Sequence, residues 1–381
     1  MSYFAQLLRN QEPGQLFRYH PNGHVQRCDC GQAIFFHNTR CLACGSELGY
    51  HPQLGLLLNL TPQSDDQHWL IRPTEASEPQ PVKRCSNLHG PLQCNWLVSN
   101  PEDGDLCQAC SLNLLIPNLE QPGSPDLWRE TEEAKRRLIA QLIMLGLPVL
   151  NRQQDPQHGL GFKLMRQQFG DEPVITGHMN GVITINVAEA DPAYREQVRQ
   201  NMAEHYRTLL GHFRHESGHY YWDRLVRDSN WLPPYRELFG DERRDYQQAL
   251  SNHYQYGPAL DWQNNFISHY AASHPWEDWA ETWAHYLHMT DTLNVALDFG
   301  IQVDRLELAL TPFTHNELGC TEDDPEAERF LAFVNRWVML SSVLNVLART
   351  MGQADIYPFV LNPGTLRKMY FVHRVIANAS G

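Results

Sequence analysis

The sequence predicts an α+β protein, with a small cysteine-bearing β module followed by a mainly helical domain that carries a short sheet. Three observations support this expectation. Eight of the nine cysteines crowd into residues 28–110. Beyond residue 124 the apolar residues recur mostly at α-helical spacing, with two short β-branched stretches between them. Within that second part, His215-Glu216-Ser217-Gly218-His219 sets two imidazoles one helical turn apart on one face.

Composition bounds the rest. A chain of 381 residues with 42% hydrophobic content is long enough for two or three domains with ordinary cores. No run of eighteen apolar residues occurs, and the start Met1-Ser2-Tyr3-Phe4-Ala5-Gln6 has neither a basic cluster nor an apolar signal core. The expectation is a cytoplasmic protein without a membrane span. Net charge is −14, and residues 1–119 hold seven Lys+Arg against ten Asp+Glu. Such a balance disfavours contact with a phosphate backbone, so nucleic acid is not expected as a partner. Close cysteine pairs in a chain without a signal peptide read as metal ligands rather than disulfides.

In chain order, residues 1–20 read as a short helical or irregular lead. Cys28-Asp29-Cys30-Gly31 and Cys41-Leu42-Ala43-Cys44-Gly45 then flank the apolar Ile34-Phe35-Phe36. Two cysteine knuckles joined by a short hairpin are what a zinc ribbon requires. Four thiolates close a tetrahedron, and glycine after the knuckle lets backbone amides approach the sulfurs. The first knuckle is one residue tighter than the usual CxxC, which leaves His24 or His37 as an alternative ligand. Cys85, Cys94, Cys107 and Cys110 form a second set and predict a second structural zinc, with exchange of ligands between the sets left open. Leu54–Leu60 reads as a buried strand, residues 73–82 as a polar, proline-rich loop, and residues 117–125 as a linker. The expected organisation is therefore a zinc-ribbon module over 1–118 and a second domain over 119–381.

That domain opens on a helix with Ser124 as N-cap and Pro125 at its first position, ending near Gly146. Short strands follow at 160–164 and 182–187, and then one long helix from about residue 192 to 226. The second strand, just before the histidine helix, is expected to offer an edge to an extended peptide. Residues 325–350 form another helix, Asn362-Pro363 starts the last one, and Cys320 reads as a free thiol.

His215 and His219 can bind one zinc, with Glu216 beside them on the open side as a general base and acid. A catalytic zinc takes a third protein ligand. Asp223 and Glu242 are near in sequence, but Glu277 in Glu277-Asp278-Trp279-Ala280-Glu281 is the better candidate. Glu281, one turn further, would accept the second ring N–H of a ligand histidine. Small Gly218 and Ala280 would let the two helices approach closely enough to share an ion.

The HExxH sequence followed by this ExxAE helix resembles the Glu-zincin (gluzincin) metallopeptidases. More closely, Cys41-x-x-Cys44-Gly45 with Leu48-Gly49-Tyr50, Cys94-Asn95-Trp96, Cys107-x-x-Cys110, the two helical motifs and Asp355-Ile356-Tyr357-Pro358-Phe359 resemble a bacterial family of zinc-binding metallopeptidases with an N-terminal zinc ribbon. The resemblance covers nearly the whole chain and implies a zincin-like fold and a metal site, without a substrate. Some Glu-zincins carry an oxyanion-stabilising tyrosine shortly before the ligand glutamate; Tyr270, seven residues before Glu277, matches that spacing.

The expected function is peptide-bond hydrolysis on a protein or peptide substrate. It would use one catalytic zinc on His215, His219 and Glu277, one or two structural zincs on the cysteines, and Glu216 as base and acid. A zinc-ribbon adaptor with a catalytically silent second domain is the alternative, and the intact Glu216 argues against it. A DNA-associated protease is a third class, disfavoured by the charge.

Overall fold

The computed structural model describes residues 26–64, 68–74, 77–167, 174–202, 204 and 206–379. The expected lead over 1–20 and the alternative ligand His24 lie outside the described residues. The described chain divides into two compact units, at residues 201 and 202. Segment 119–201, expected with the C-terminal domain, packs as part of the first unit.

The first unit opens with the antiparallel pair β1 (Gln26–Arg27) and β2 (Ala33–Ile34), followed by the hairpin of β3 (Leu48–His51) and β4 (Leu56–Asn59). A four-stranded antiparallel sheet follows, in the order β5 (Thr61–Pro62), β6 (His68–Ile71), β7 (Gln80–Arg84) and β8 (Leu97–Val98). Its apolar cluster is Leu60, Ile71, Val82 and Leu97. The loop expected over 73–82 thus gives its last residues to β7, where Pro81 pairs with Leu70. Because β8 reaches only Lys83 and Arg84, the strand has a free side at Pro81, and a proline is tolerated there.

Next come β9 (Asn113–Leu115) and α1 (Ser124–Met144), then β10 (Gly161–Met165), β11 (Gly177–Met179), β12 (Val182–Asn186) and α2 (Pro192–Asn201). Gly123, at φ +79°, caps α1 in place of the expected Ser124, whose hydroxyl instead accepts from Arg166 at 2.9 Å. The sheet runs β11-β12-β10-β9, with β12 parallel to β10 and antiparallel to β11. Both sides of β12 are therefore paired. The free edge expected on it for a peptide is absent, and β12 belongs to the first unit.

The second unit is helical: α3 (Leu209–Leu225), α4 (Leu232–Phe239), α5 (Tyr246–Tyr256), α6 (Pro275–Asp298), α7 (His315–Leu318), α8 (Pro325–Thr350) and α9 (Pro363–Ala379). The single helix expected over 192–226 is thus two helices in different units. The break has a local cause. Thr208 is extended, and its hydroxyl accepts from Gly211 N at 3.0 Å, so it caps a new helix. Helix α8 is long and apolar enough to cross a membrane by length and composition. In this fold its Phe330, Phe333, Val334 and Trp337 are buried. Helix α9 ties onto α6 through a buried ion pair, Lys368 Nζ to Asp278 Oδ2, at 2.6 Å.

Candidate functional site

Helices α3 and α6 lie unusually close, and small residues are the reason. A Cβ placed on Gly218 would meet Ala280 Cα at 2.9 Å and Trp283 Cβ at 3.2 Å. Two indoles then lock the pair: Trp279 Nε1 donates to the Gly218 carbonyl at 2.8 Å, and Trp283 Nε1 to Ser217 Oγ at 3.1 Å. Each such bond adds about 1 kcal/mol beyond the burial of the ring itself.

This approach brings the expected ligands together. One nitrogen from each of His215 and His219 and one oxygen of Glu277 all lie within 4.8 Å of one another. His215 Nε2 is 2.9 Å from Glu277 Oε2, and its Nδ1 is 2.8 Å from Glu281 Oε1. His219 Nε2 lies 3.5 Å from the same Glu277 oxygen. Glu281 is fixed in turn by Ser268, whose hydroxyl donates to Oε2 at 2.7 Å. Glu277 stands in the first turn of α6 behind Pro275, with His274 as N-cap.

The charges follow the geometry. Burial disfavours the charged form of His215, but Glu277 and Glu281 outweigh it and raise its pKa well above the usual imidazole range. Burial likewise works against ionised Glu277, and the two histidines overcome it, holding the carboxyl well below its ordinary value. Glu216 responds in the opposite sense: burial raises its pKa, only partly offset by His215 and His219. Its Oε2 is buried and has no hydrogen-bond partner among the described residues. Two imidazoles and a carboxylate, converging beside an unsatisfied basic oxygen, fit a three-ligand zinc with an open fourth position.

The other candidates near the motif are engaged elsewhere. Asp223 pairs with Arg227, and Glu242 with Arg236 at 2.9 Å, so neither joins the trio. Tyr270 lies at the site, its ring centroid 5.9 Å from that of His215, and burial pushes its phenol up. Three neighbours went unread in the sequence: Tyr246, which donates to Glu277 Oε1 at 2.7 Å; Ser268; and Trp276, whose ring centroid is 4.1 Å from that of His219. No fixed spacing from the motif marks Tyr246 or Ser268. Trp276 adjoins Glu277, and its bulk was the available signal.

Both cysteine sets converge as well, each on its own. The sulfurs of Cys28, Cys30, Cys41 and Cys44 lie within 4.8 Å of one another, and so do those of Cys85, Cys94, Cys107 and Cys110. No ligand is exchanged between the sets. His37 takes no part in the first; it packs edge-on against Phe36 at 4.9 Å, and burial lowers its pKa to about 4. Gly31 and Gly45 follow their knuckles at φ +87° and +81°, left-handed conformations that glycine adopts without strain. Cys30 and Cys44 are exposed, whereas all four cysteines of the second set are buried. Beside the second set, Arg136 of α1 is 2% exposed, and its Nε and Nη1 find no acceptor among the described residues. Burial works against its charge, and Cys94, Glu132, Cys110 and Cys107 favour it. A buried guanidinium with two unpartnered nitrogens, its charge favoured by Cys94, Cys107 and Cys110, fits a metal tetrathiolate, which carries net negative charge.

A family model described as "putative zinc-binding metallo-peptidase" matches residues 124–375, and a zinc-ribbon domain model matches residues 25–121. Uncharacterized proteins of Mycobacterium tuberculosis and Mycobacterium bovis are 44% identical over 349 residues, covering 91% of this chain and 93% of theirs. No solved structure matches. A match over two-thirds of the sequence, on the part that holds the His215, His219 and Glu277 trio, joined to a ribbon match over the eight clustered cysteines, means that the chain belongs to this zinc-binding metallopeptidase family.

Proposed function

We propose that the protein is a Glu-zincin-type peptidase that hydrolyses peptide bonds of a protein or peptide substrate in the cytoplasm. The observation that carries the reading is the trio of His215, His219 and Glu277 beside a buried, unpartnered Glu216 oxygen. Zinc held by the trio would polarise the scissile carbonyl and acidify the attacking water. The Glu216 carboxylate takes the proton of that water and returns it to the leaving amine. Its raised pKa suits a group that must both accept and give up a proton near neutrality. Glu281 accepts the His215 Nδ1–H and so fixes which ring nitrogen faces the site. Tyr270, whose ring neighbours that of His215, donates a hydrogen bond to the developing oxyanion in this reading. The ribbon, with its two tetracysteine sites, serves as a docking or regulatory module. Cysteines retained as metal ligands suit a reducing compartment.

The test starts with metal content per chain for the wild type and a His215→Ala/His219→Ala variant. The variant is expected to lose one zinc equivalent and keep the rest. Glu216→Gln is expected to keep all its zinc and lose at least a hundredfold in peptide hydrolysis. Equal metal content in wild type and double variant would sink the reading in favour of a zinc-ribbon adaptor.

A further inference from the structure

The two oxygens of Glu277 have different partners. Oε2 faces the histidines, 2.9 Å from His215 Nε2 and 3.5 Å from His219 Nε2. Oε1 points away from them and accepts the Tyr246 hydroxyl at 2.7 Å. Because Glu277 is only 1% exposed, solvent offers Oε1 little in place of that phenol.

Tyr246 is itself held firmly. It is the first residue of α5, whose N-cap Asp245 accepts from Gln248 N at 2.9 Å. Its ring stands edge-on to His274 at 5.2 Å and to Trp276 at 6.0 Å, the residues that start α6 and flank Glu277. The donor and the carboxylate are therefore anchored at the same helix start. A carboxylate can bind zinc through one oxygen or both. Binding through both would fill the coordination position that a peptidase must leave open.

We propose that Tyr246 is a positioning residue: by occupying Oε1 it makes Glu277 a one-oxygen ligand through Oε2 and keeps the fourth metal position free. The inference rests on the zinc-site reading above. It also assigns different work to two neighbouring phenols. Tyr246 serves the ligand, while Tyr270, which interacts with both Tyr246 and Tyr254, remains the oxyanion candidate.

Tyr246→Phe removes only the hydroxyl. In the full-length zinc protein, chelator competition is expected to show a 10–100-fold loss of zinc affinity at this site, with the cysteine-bound zinc retained. With cobalt in the site, visible absorption is expected to weaken as a fifth ligand atom joins. Tyr270→Phe is expected to stay within about threefold of wild-type affinity, because Glu277 keeps its donor. In a Glu277→Gln background, adding Tyr246→Phe is expected to cost little more, since no zinc-binding carboxylate is left there for the phenol to orient. Wild-type affinity and cobalt spectrum in Tyr246→Phe would overturn the proposal. So would equal losses in Tyr246→Phe and Tyr270→Phe, or full additivity with Glu277→Gln, which would also expose a mere folding defect. Failure of the underlying reading looks different: the wild type would then hold no zinc that His215→Ala/His219→Ala removes.

Discussion

The first unit reaches its metal-ligand geometry with strands of two to five residues and, beside its cysteines, an apolar cluster of Leu60, Ile71, Val82 and Leu97. The second unit reaches its own with helices of up to 26 residues and buried Trp279, Trp283, Tyr286, Phe330 and Phe333 around the ligand helices. In the first unit, eight sulfurs are brought together by segments too short to pack alone, and metal bound there would supply much of the folding free energy. In the second, indole bonds and a glycine contact fix the approach of the two ligand helices. Under the proposed function, the difference reflects the opposite demands of a structural metal and a reactive one. One closes its own shell and stabilises the fold, while the other needs a rigid fold that leaves its shell incomplete.

The contrast can be broken most forcefully at the second cysteine set. Cys94→Ser is expected to remove one zinc and unfold the region around residues 85–110, because structural zinc contributes on the order of 10 kcal/mol. Hydrogen exchange should show that region exchanging freely while α3 and α6 stay protected. Protection lost equally in both units would break the comparison. Next in size is Arg136→Leu. It strips the buried counter-charge from the tetrathiolate and is expected to cost about 3–5 kcal/mol, read as a lower thermal midpoint and faster zinc release.

Acid should test the helical unit. His285 and His373 are buried, and desolvation lowers their pKa values to about 4 and about 3. Both stay neutral in the fold and protonate once it opens, so between pH 6.5 and about 4 the unfolded chain binds more protons. Stability therefore falls as the pH falls through that window, by about 3 kcal/mol for each group. Denaturant titrations at stepped pH should show the slope, and His373→Asn should flatten it. The smallest expected effect is Gly218→Ala. The new methyl meets backbone at Ala280 and is expected to cost about 1–3 kcal/mol, with zinc at the trio weakened and the cysteine sites untouched. Chelator titration of the separate sites checks it.

Much of the metal chemistry was legible because ligand spacing is dictated by geometry. A HExxH on a helix needs no tertiary information to place His215 beside His219, and CxxC knuckles announce themselves. Gly218 and Ala280 could be read as an approach point because only small residues allow it. Contacts made by chain closure were not legible. Tyr246 and Ser268 reach Glu277 and Glu281 from neighbouring segments, and nothing in their local sequence distinguishes them from ordinary surface or capping residues. The break between α2 and α3 was hidden for a related reason: the residues around it are polar and helix-compatible in sequence, and the extended Thr208 that caps α3 carries no local mark of its role. Segment 119–201 was assigned by its composition, which shifts near 117–125, whereas its packing places it with the cysteines.

Glu277 sits in the first turn of α6, behind the His274 cap. The unpaired amides at a helix start carry partial positive charge, which draws electron density from a carboxylate held there. A ligand drained in this way would give less to an ion bound there. Zinc held by Glu277 would then keep more of its own pull on the oxygen of a bound substrate, so the backbone of one helix would tune electrophilicity at an atom it never touches.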